Sequence, residues 1–350
     1  MKIRFPVGKV NLFAGEPKLF TRSQEALQMK KQRVGIAVGF LAISAVVAPL
    51  GGSAWAGNNG YLVTYNSKVE SGEVELVLRN DFILPSRFLR EEEGFGKYLS
   101  HVLEFEYGVT DQFSTELYLV GFEDLKTHAR DYTSFRWENR YRLFRQRRPL
   151  NPMVYVEYED KSPHSRDKLE VAGWVRPPYQ ESKGEAGRER EIESRVVLSE
   201  DFGSVDVAFN WVNETDIETG RTAFGYSAGL MWMIHHRGMK NAAPGQSLKR
   251  QAGEGCGCQT AMSGCRCGHC QSRGAQCPCG RTGEIGIGLE FYGGLGDSKA
   301  FGLNLSRQEH YFGPILMYHL SSRWMIHTQL AVGLSRVSDN LFRVNLGYEF

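Results

Sequence analysis

The C-terminal segment LFRVNLGYEF, residues 341–350, alternates apolar and polar or small side chains. The apolar set shares one face and consists of Phe342, Val344, Leu346, Tyr348 and Phe350. The residues between them, from Arg343 to Glu349, share the opposite face. A period of two residues is that of a β-strand. The pattern therefore predicts that the chain ends in a strand whose two faces meet different surroundings.

The same alternation recurs from Glu73 onward in short segments separated by turn-forming residues,. Helical periodicity is rare in this region. The predicted strands are 73–80, 98–109, 113–122, 131–144, 151–159, 188–199, 205–214, 222–235, 284–293, 310–320, 324–335 and 339–350. Their number is even, as single-chain bacterial barrels require. We therefore predict an all-β fold, a transmembrane antiparallel β-barrel of about 12 strands over residues 57–350.

Loop lengths give an independent test, because membrane barrels have short periplasmic turns and longer outer loops. With both termini in the periplasm, the predicted periplasmic turns are all short, at 110–112, 145–150, 200–204 and 321–323. The predicted outer loops are longer, at 81–97, 160–187 and 294–309. Residues 169–176 are expected either to extend a hairpin beyond the membrane or to form a further strand. The short outer loop around Val337 and the long periplasmic insert fit this scheme less well.

The predicted strand 131–144 shows what the two faces contain. One face carries Phe135, Trp137, Tyr141 and Leu143, and the other carries Arg136, Glu138, Arg140 and Arg142. Because a membrane barrel is apolar toward lipid and polar inside, the charged face is predicted to line the lumen. The same inner face is predicted for Glu104, Glu106, Glu116, Glu157 and Glu159. We expect these carboxylates to interlock with the arginines across a narrow lumen rather than to select a solute.

Several segments carry a resemblance to known proteins. They are YGVTDQFSTELYL (107–119), LSEDFGSVDVAFN (198–210), EFYGGLG (290–296), QEHYFGP (308–314) and the terminal strand. Over most of residues 73–350 the chain resembles twelve-stranded bacterial outer-membrane proteins described as transporters. Its terminal Phe350, with aromatics at alternate positions before it, resembles the signal that the barrel assembly machinery reads. The resemblance implies an outer-membrane location, with membrane lipid and that machinery as partners, and says little about the cargo.

Residues 34–50, VGIAVGFLAISAVVAPL, form the only long apolar run of the chain. Basic residues precede the run, and small residues ending in Ala54-Trp55-Ala56 follow it. This order is that of a secretory signal peptide, which we predict over residues 1–56, with Met29 as the natural start and 1–28 as an upstream mis-assigned start. The alternative is a transmembrane anchor. The run is short for a hydrocarbon core of about 30 Å and carries a proline near its end, which argues against an anchor.

All seven cysteines fall within GCGCQTAMSGCRCGHCQSRGAQCPCG, residues 255–280, inside a predicted insert at 237–283 between strands 8 and 9. They are Cys256, Cys258, Cys265, Cys267, Cys270, Cys277 and Cys279, and His269 stands beside Cys270. Closely spaced thiolates let several sulfurs converge on a soft metal such as Cu(I) or Zn(II), and the spacing resembles metallothionein-like motifs.

Two alternatives to metal binding remain for this insert. Disulfides fit the oxidising compartment outside the inner membrane, although C-x-C bridges are strained and an odd number of cysteines leaves one thiol unpaired. The third interpretation is a lineage-specific insert with no fixed role.

Methionines and histidines are predicted to gather beside this insert. Met231, Met233 and His235 end the eighth predicted strand, Met317 and His319 end the tenth, and Met325 and His327 open the eleventh. The predicted registers place all seven on the inner face near the periplasmic mouth. Thioethers and imidazoles are copper ligands, especially for Cu(I). The alternative is that methionine fills irregular space in the lumen and histidine lies at a polar rim.

Composition adds little, since 41% hydrophobic and 23% charged residues also suit an ordinary globular protein,. A net charge of +2 gives no indication of a nucleic-acid partner, and none is predicted. The predicted function is a non-enzymatic outer-membrane pore or transporter whose periplasmic Cys-rich loop binds a soft metal, copper or zinc. One alternative is a porin or small-molecule transporter with an incidental insert. A barrel hydrolase is less favoured, because His164, between Ser162 and Ser165, is better explained as solvated surface.

Overall fold

The computed structural model describes residues 60–92, 94, 96–145, 148–163, 165–179, 187–234, 284–321 and 323–350. These residues form a closed barrel in which every neighbouring pair of strands is antiparallel. The strands are β1 (Val74–Leu84), β2 (Tyr98–Thr110), β3 (Phe113–Asp124), β4 (Arg130–Arg142), β5 (Met153–Lys161), β6 (Glu189–Phe202), β7 (Val205–Asp216), β8 (Thr222–Ile234), β9 (Ile285–Asp297), β10 (His310–His319), β11 (Trp324–Gly333) and β12 (Asn340–Glu349). The all-β barrel prediction is confirmed.

Closure of the barrel depends on the terminal strand. β12 pairs with β1 from Glu75 opposite Glu349 to Leu84 opposite Asn340. All twelve predicted segments overlap observed strands, but several predicted ends were too early, and those of two strands were early by four residues. β1 continues to Leu84 and β9 to Asp297, beyond the predicted ends at 80 and 293. Polar and glycine residues resemble turn formers at both places, yet they belong to the wall of the lumen.

The predicted long outer loops are found at 85–97, 162–188 and 298–309, but the outer connections 125–129 and 217–221 are short. The turns at 111–112, 143–152, 203–204 and 320–323 lie at the end of the barrel where β1 begins and β12 ends. The loop after β1 contains a short helix, α1 (Arg87–Glu92), where no helix was predicted. Within the described residues, no helix has the length and apolarity needed to cross a membrane.

The prediction for residues 169–176 was wrong. This segment neither extends a hairpin beyond the membrane nor adds a strand to the sheet; it folds back into the lumen and makes only isolated bridges, Ala172 to Gly225 and Gly173 to Gly296. This path is possible because glycines of the wall leave room for the backbone of the segment. A Cβ on Gly225 would lie 2.4 Å from the carbonyl oxygen of Val171. Glycine within these strands therefore marks the close approach of another backbone.

Alternation sorts the side chains between two surroundings. On β4, Arg136, Glu138 and Arg140 are buried, whereas Trp137 and Tyr141 are each 49% exposed on the outside. The outer surface of the other strands is likewise apolar, with exposed residues that include Leu78, Leu117, Val196, Phe209, Leu289 and Leu330. The barrel therefore presents an apolar exterior and a charged interior.

Candidate functional site

Buried ion pairs cross the inner face between strands. Arg140 contacts Glu106 and lies 2.9 Å from Glu138, and Arg79 lies 3.4 Å from Glu104. A buried charge is tolerated only when it is paired and hydrogen-bonded. The interior charges thus interlock across neighbouring strands, as the sequence led us to expect.

One cluster of three glutamates on the wall of the lumen has the composition of a metal site. Ligand oxygens of Glu159, Glu191 and Glu214 lie within 4.8 Å of one another. The Lys161 ammonium contacts all three side chains, at 3.2 Å from Glu159 and 2.8 Å from Glu214. This ammonium group gives all three carboxylates a cationic partner within the protein, so their grouping does not require a metal.

Residues 60–69, which we call the N-terminal plug, lie inside the barrel. Every residue from Gly60 to Ser67 is buried. The plug begins against Met231 near the end of β8, and Val63 joins a buried cluster with Val171. The chain then returns to the end where it entered, and the Gly72 N–H donates to the Gly108 carbonyl oxygen at 2.7 Å. Sequence reasoning assigned no structure to this segment.

The Glu290 side chain of β9 holds the plug through one oxygen. Oε1 accepts hydrogen bonds from the backbone N–H groups of Leu62, Val63 and Thr64, at 3.2, 3.0 and 2.7 Å. The second oxygen accepts a hydrogen bond from Gln329 Nε2 at 2.5 Å. Hydrogen bonds to an ionised acceptor are stronger than those between neutral groups, so Glu290 is a strong anchor.

Asn210 of β7 recognises the next peptide group of the plug. Its Oδ1 accepts from the Tyr65 N–H at 2.7 Å, and its Nδ2 donates to the Tyr65 carbonyl oxygen at 2.8 Å. The Arg195 guanidinium donates to the Val63 carbonyl oxygen at 2.9 Å and stands 4.8 Å from the Tyr65 ring. The Tyr65 hydroxyl donates to Glu138 at 2.8 Å. Both the backbone and the aromatic ring of the plug therefore have specific partners.

The foot of the plug is attached near the turn between β6 and β7. The hydroxyls of Ser67 and Ser199 are 2.6 Å apart. The Lys68 ammonium lies 3.0 Å from Asp206 and 3.1 Å from Asp201. Lys68 is partly exposed, so these ion pairs contribute less than the buried contacts above.

Residues 165–173 of the β5–β6 loop, which we call the outer plug, enter from the opposite end. The Arg136 guanidinium donates to Asp167 at 2.7 Å and to a Glu170 oxygen at 2.9 Å. The Lys168 ammonium donates to Glu309 at 2.7 Å. Leu169 joins a buried cluster formed by Val102, Tyr118 and Val120. Ion pairs with the wall and with Glu309 thus hold the outer plug inside the lumen.

Little space remains between the two plugs and the wall. A cavity of about 20 Å³ is lined by residues that include Tyr61, Met325 and His327. A second cavity of about 10 Å³ lies beside Tyr65 and Arg195. Each volume suits about one water molecule. Among the described residues, the plugs therefore leave little free space at these two places in the lumen.

The described members of the predicted metal set lie together at the periplasmic end of the lumen. Met231, Met317, Met325, His319 and His327 are between 1% and 8% exposed. Met317 stands opposite His327 and His319 opposite Met325 in the β10–β11 register, and Met233 packs against Met317 and Met325.

The remaining members of that set lie outside the described residues. They are His235, Cys256, Cys258, Cys265, Cys267, His269, Cys270, Cys277 and Cys279. The signal peptide prediction (1–56), the boundaries of the insert (237–283) and the interpretation of His164 also concern residues that the structure does not describe. All of these stay predictions.

The plugs were missed because their own sequences show no period, but the wall carried a signal. Gly229 and Gly288 interrupt strands at inner positions. A Cβ on Gly229 would lie 2.3 Å from the Tyr61 ring, and one on Gly288 would lie 2.6 Å from Met231 Cε. Glycine at alternate inner positions of a strand indicates that something approaches the wall closely.

Several solved outer-membrane proteins are similar at low sequence identity. The NanC porin has 7% identity and a TM-score of 0.40, over 79% of this chain and 100% of that chain. Omp33 from Acinetobacter baumannii has 8% identity and a TM-score of 0.34, over 80% and 98%. The translocator domain of the autotransporter NalP from Neisseria meningitidis has 7% identity and a TM-score of 0.32, over 80% and 90%. Neither a family model nor a curated protein matches the sequence.

The architecture itself defines the class of protein. Closure of β1 on β12 leaves no unpaired strand edge, which is the condition for a β-sheet to cross lipid,. The even number of strands, the apolar exterior and the polar interior are those of bacterial outer-membrane barrels. The chain is therefore an outer-membrane β-barrel, as its terminal strand predicted.

Proposed function

We propose that this barrel is a transporter or pore for small solutes, closed at rest by the N-terminal plug and the outer plug in series. The observation that carries the proposal is that both plugs fill the lumen without joining the sheet. Residues 60–71 belong to no strand, and residues 165–173 make only isolated bridges. Either segment can therefore move without breaking the hydrogen bonds between the barrel strands.

Conductance in planar bilayers tests this arrangement. The four proteins to compare are the wild type, a deletion of 60–69, a replacement of 165–173 by a Gly/Ser linker of equal length, and the combination. Two closures in series predict that only the combined variant conducts at least about tenfold more than the wild type. A combined variant that folds and still conducts like the wild type would refute a pathway through the lumen. Folding is checked by the heat-dependent gel mobility of the barrel.

The finer part of the proposal is that the insert at 237–283 captures a soft metal, Cu(I) or Zn(II), on the periplasmic side. Two features support it. Seven thiols occupy a short glycine-containing stretch, and the flanking strands β8 and β9 are joined at the end where β1 begins,. Metal content is measured on purified protein with and without replacement of all seven cysteines by serine. Equal content in the two proteins would remove this part of the proposal.

A general transporter with an incidental insert is the second candidate. Its support is that the plugs and their anchors all lie in the described part of the barrel and require no residue of 237–283. Deletion of 237–283 in the variant that lacks both plugs distinguishes the two candidates. Unchanged conductance and unchanged metal content would favour the general transporter.

A further inference from the structure

Three methionines from two strands, Met231 and Met233 of β8 and Met317 of β10, converge on a single glycine inside the barrel. A Cβ built on Gly286 of β9 would lie 3.0 Å from Met231 Sδ, 3.2 Å from Met233 Sδ and 2.9 Å from Met317 Cε. Two thioether sulfurs thus lie within 3.2 Å of one point. Methionine is unbranched and flexible, so small rotations can direct these sulfurs at one ion.

Two histidines on neighbouring strands, His319 of β10 and His327 of β11, complete the group. His327 is 4% exposed, yet its Nε2 has no hydrogen-bond partner among the described residues. Leaving a buried polar atom without a partner costs about 1–3 kcal/mol, and such atoms in native proteins call for an explanation. His319 stands on β10 opposite Met325, one pair beyond Tyr318 and Ile326 in the same register. The imidazoles and thioethers therefore alternate across one strand pair.

The electrostatic surroundings favour a cation. Glu75 Oε1 lies 2.6 Å from the Cβ position of Gly347, and Met325 Cε lies 3.6 Å from the same position. Glu75 and Glu104 are each 6% exposed and line the cavity that Met325 and His327 also line. Arg79 is the nearby cation, and it is already paired with Glu104. A carboxylate beside the methionines would offset the charge of an incoming ion.

We propose that Met231, Met233, Met317, Met325, His319 and His327 form a Cu(I) site inside the lumen. Thioether and imidazole ligands suit Cu(I), whereas hard divalent cations prefer oxygen donors. The site is built by the barrel strands and needs no residue of the Cys-rich insert. In a transport pathway it would make a soft monovalent metal ion the solute, and this role rests on the proposed function.

The N-terminal plug lies directly on this group. A Cβ on Gly60 would lie 2.9 Å from Met231 Cε, and Tyr61 lines the same cavity as Met325 and His327. The first residues of the plug therefore cover the proposed site. Binding of the ion and the position of the plug are expected to be linked.

Competition with a Cu(I) chelator, under reducing conditions and in detergent, tests the site. The parent is the full chain with all seven cysteines changed to serine, which removes the insert's thiolates. We expect this parent to bind one equivalent of Cu(I). The triple variant Met231→Leu, Met317→Leu, Met325→Leu preserves side-chain volume and should bind at least about tenfold more weakly. The matched control is Met153→Leu, because Met153 is also fully buried but packs in another cluster, with Tyr65 and Val69.

Two results would overturn the proposal: a parent that binds no Cu(I), or a triple variant that binds as tightly as the Met153→Leu control. If the triple variant fails to fold, X-ray absorption of the copper-loaded parent decides. Sulfur neighbours around copper support the site, and a spectrum with nitrogen and oxygen neighbours alone contradicts it. Because this binding is measured without conductance, the metal site and the pathway through the lumen can fail independently.

Discussion

Glu290 of β9 accepts a hydrogen bond from the backbone N–H of Thr64 at 2.7 Å inside the barrel. The bound group is a peptide unit, so the wall recognises the shape of the N-terminal plug through its backbone. Side-chain contacts of this kind hold the plug in place of strand pairing, since residues 60–71 belong to no strand. The balance between a closed and an open lumen should therefore respond to single substitutions at these contacts.

Glu290→Gln is predicted to loosen the N-terminal plug. Glutamine keeps the shape and one acceptor but removes the charge that strengthens three backbone hydrogen bonds, a loss of about 1–3 kcal/mol. In the protein whose outer plug is replaced by a linker, conductance should rise about tenfold or more. Glu218→Gln is the control, because Glu218 is exposed in an outer turn. Equal conductance in the two variants would show that Glu290 is not an anchor.

Arg136→Gln is predicted to destabilise the barrel and release the outer plug. The change leaves four buried carboxylates without their shared cation, namely Glu157, Glu159, Asp167 and Glu170. Removal of one partner from a buried ion pair costs about 3–5 kcal/mol. The control on the same strand is Arg130→Gln, whose side chain is 74% exposed beside Glu123. That change should alter the free energy of unfolding by no more than about 1 kcal/mol. Equal effects in urea unfolding would contradict the role of Arg136.

Val196→Arg is predicted to lower the free energy of unfolding in a lipid bilayer, because Val196 is expected to face the hydrocarbon. Val196 is 48% exposed near the middle of β6, and Ile217, also 48% exposed, lies in an outer turn. An arginine at the bilayer midplane costs about 2–4 kcal/mol, and one near the interface about 0–1 kcal/mol. Unfolding free energies measured in phospholipid should therefore separate Val196→Arg from Ile217→Arg. A similar small effect at both positions would place Val196 outside the hydrocarbon.

Asp339→Asn is predicted to stabilise the barrel above neutral pH. Burial in the turn before β12 raises the pKa of Asp339 from 3.8 to about 6, although Lys168 acts in the opposite direction. A carboxyl group with a raised folded-state pKa contributes stability below its ordinary pKa and loses it as pH rises through about 6,. The variant should exceed the wild type by about 1–3 kcal/mol at pH 8 and match it below pH 3.8,. A less stable variant at pH 8 would show that the pair with Lys168 outweighs burial.

The wall of the barrel was predictable because local alternation carries it. Trp137 stands between Arg136 and Glu138, and no register other than one with tryptophan outside leaves both charges in a polar interior. The same rule placed Met317 and His319 on one face and Met325 and His327 opposite them. These predictions need only the period of two and the direction of each strand, which are properties of neighbouring residues.

The contents of the lumen were not predictable in this way. Residues 60–69 show no alternation, and their burial depends on Glu290 and Asn210, which are distant in sequence. The outer plug likewise depends on ion pairs between residues distant in sequence, from Arg136 of β4 to Asp167 of the plug and from Lys168 of the plug to Glu309. Contacts of this kind join residues that come together only in the folded barrel, so local sequence patterns do not reveal them. The glycines of β8 and β9 were the local sequence signal that a segment approaches the wall closely. That signal was missed because glycine-rich segments also resemble turns.

A reversible tether tests closure by the N-terminal plug most directly. Ser67 and Ser199 have hydroxyls 2.6 Å apart, so Ser67→Cys and Ser199→Cys are placed to form a disulfide between plug and wall,. The background carries Glu290→Gln, the linker in place of the outer plug, and serine at the seven native cysteines. We predict low conductance when oxidised and a rise of about tenfold or more on reduction. Equal conductance in both states, with the disulfide verified by mass, would contradict the claim that this segment closes the lumen.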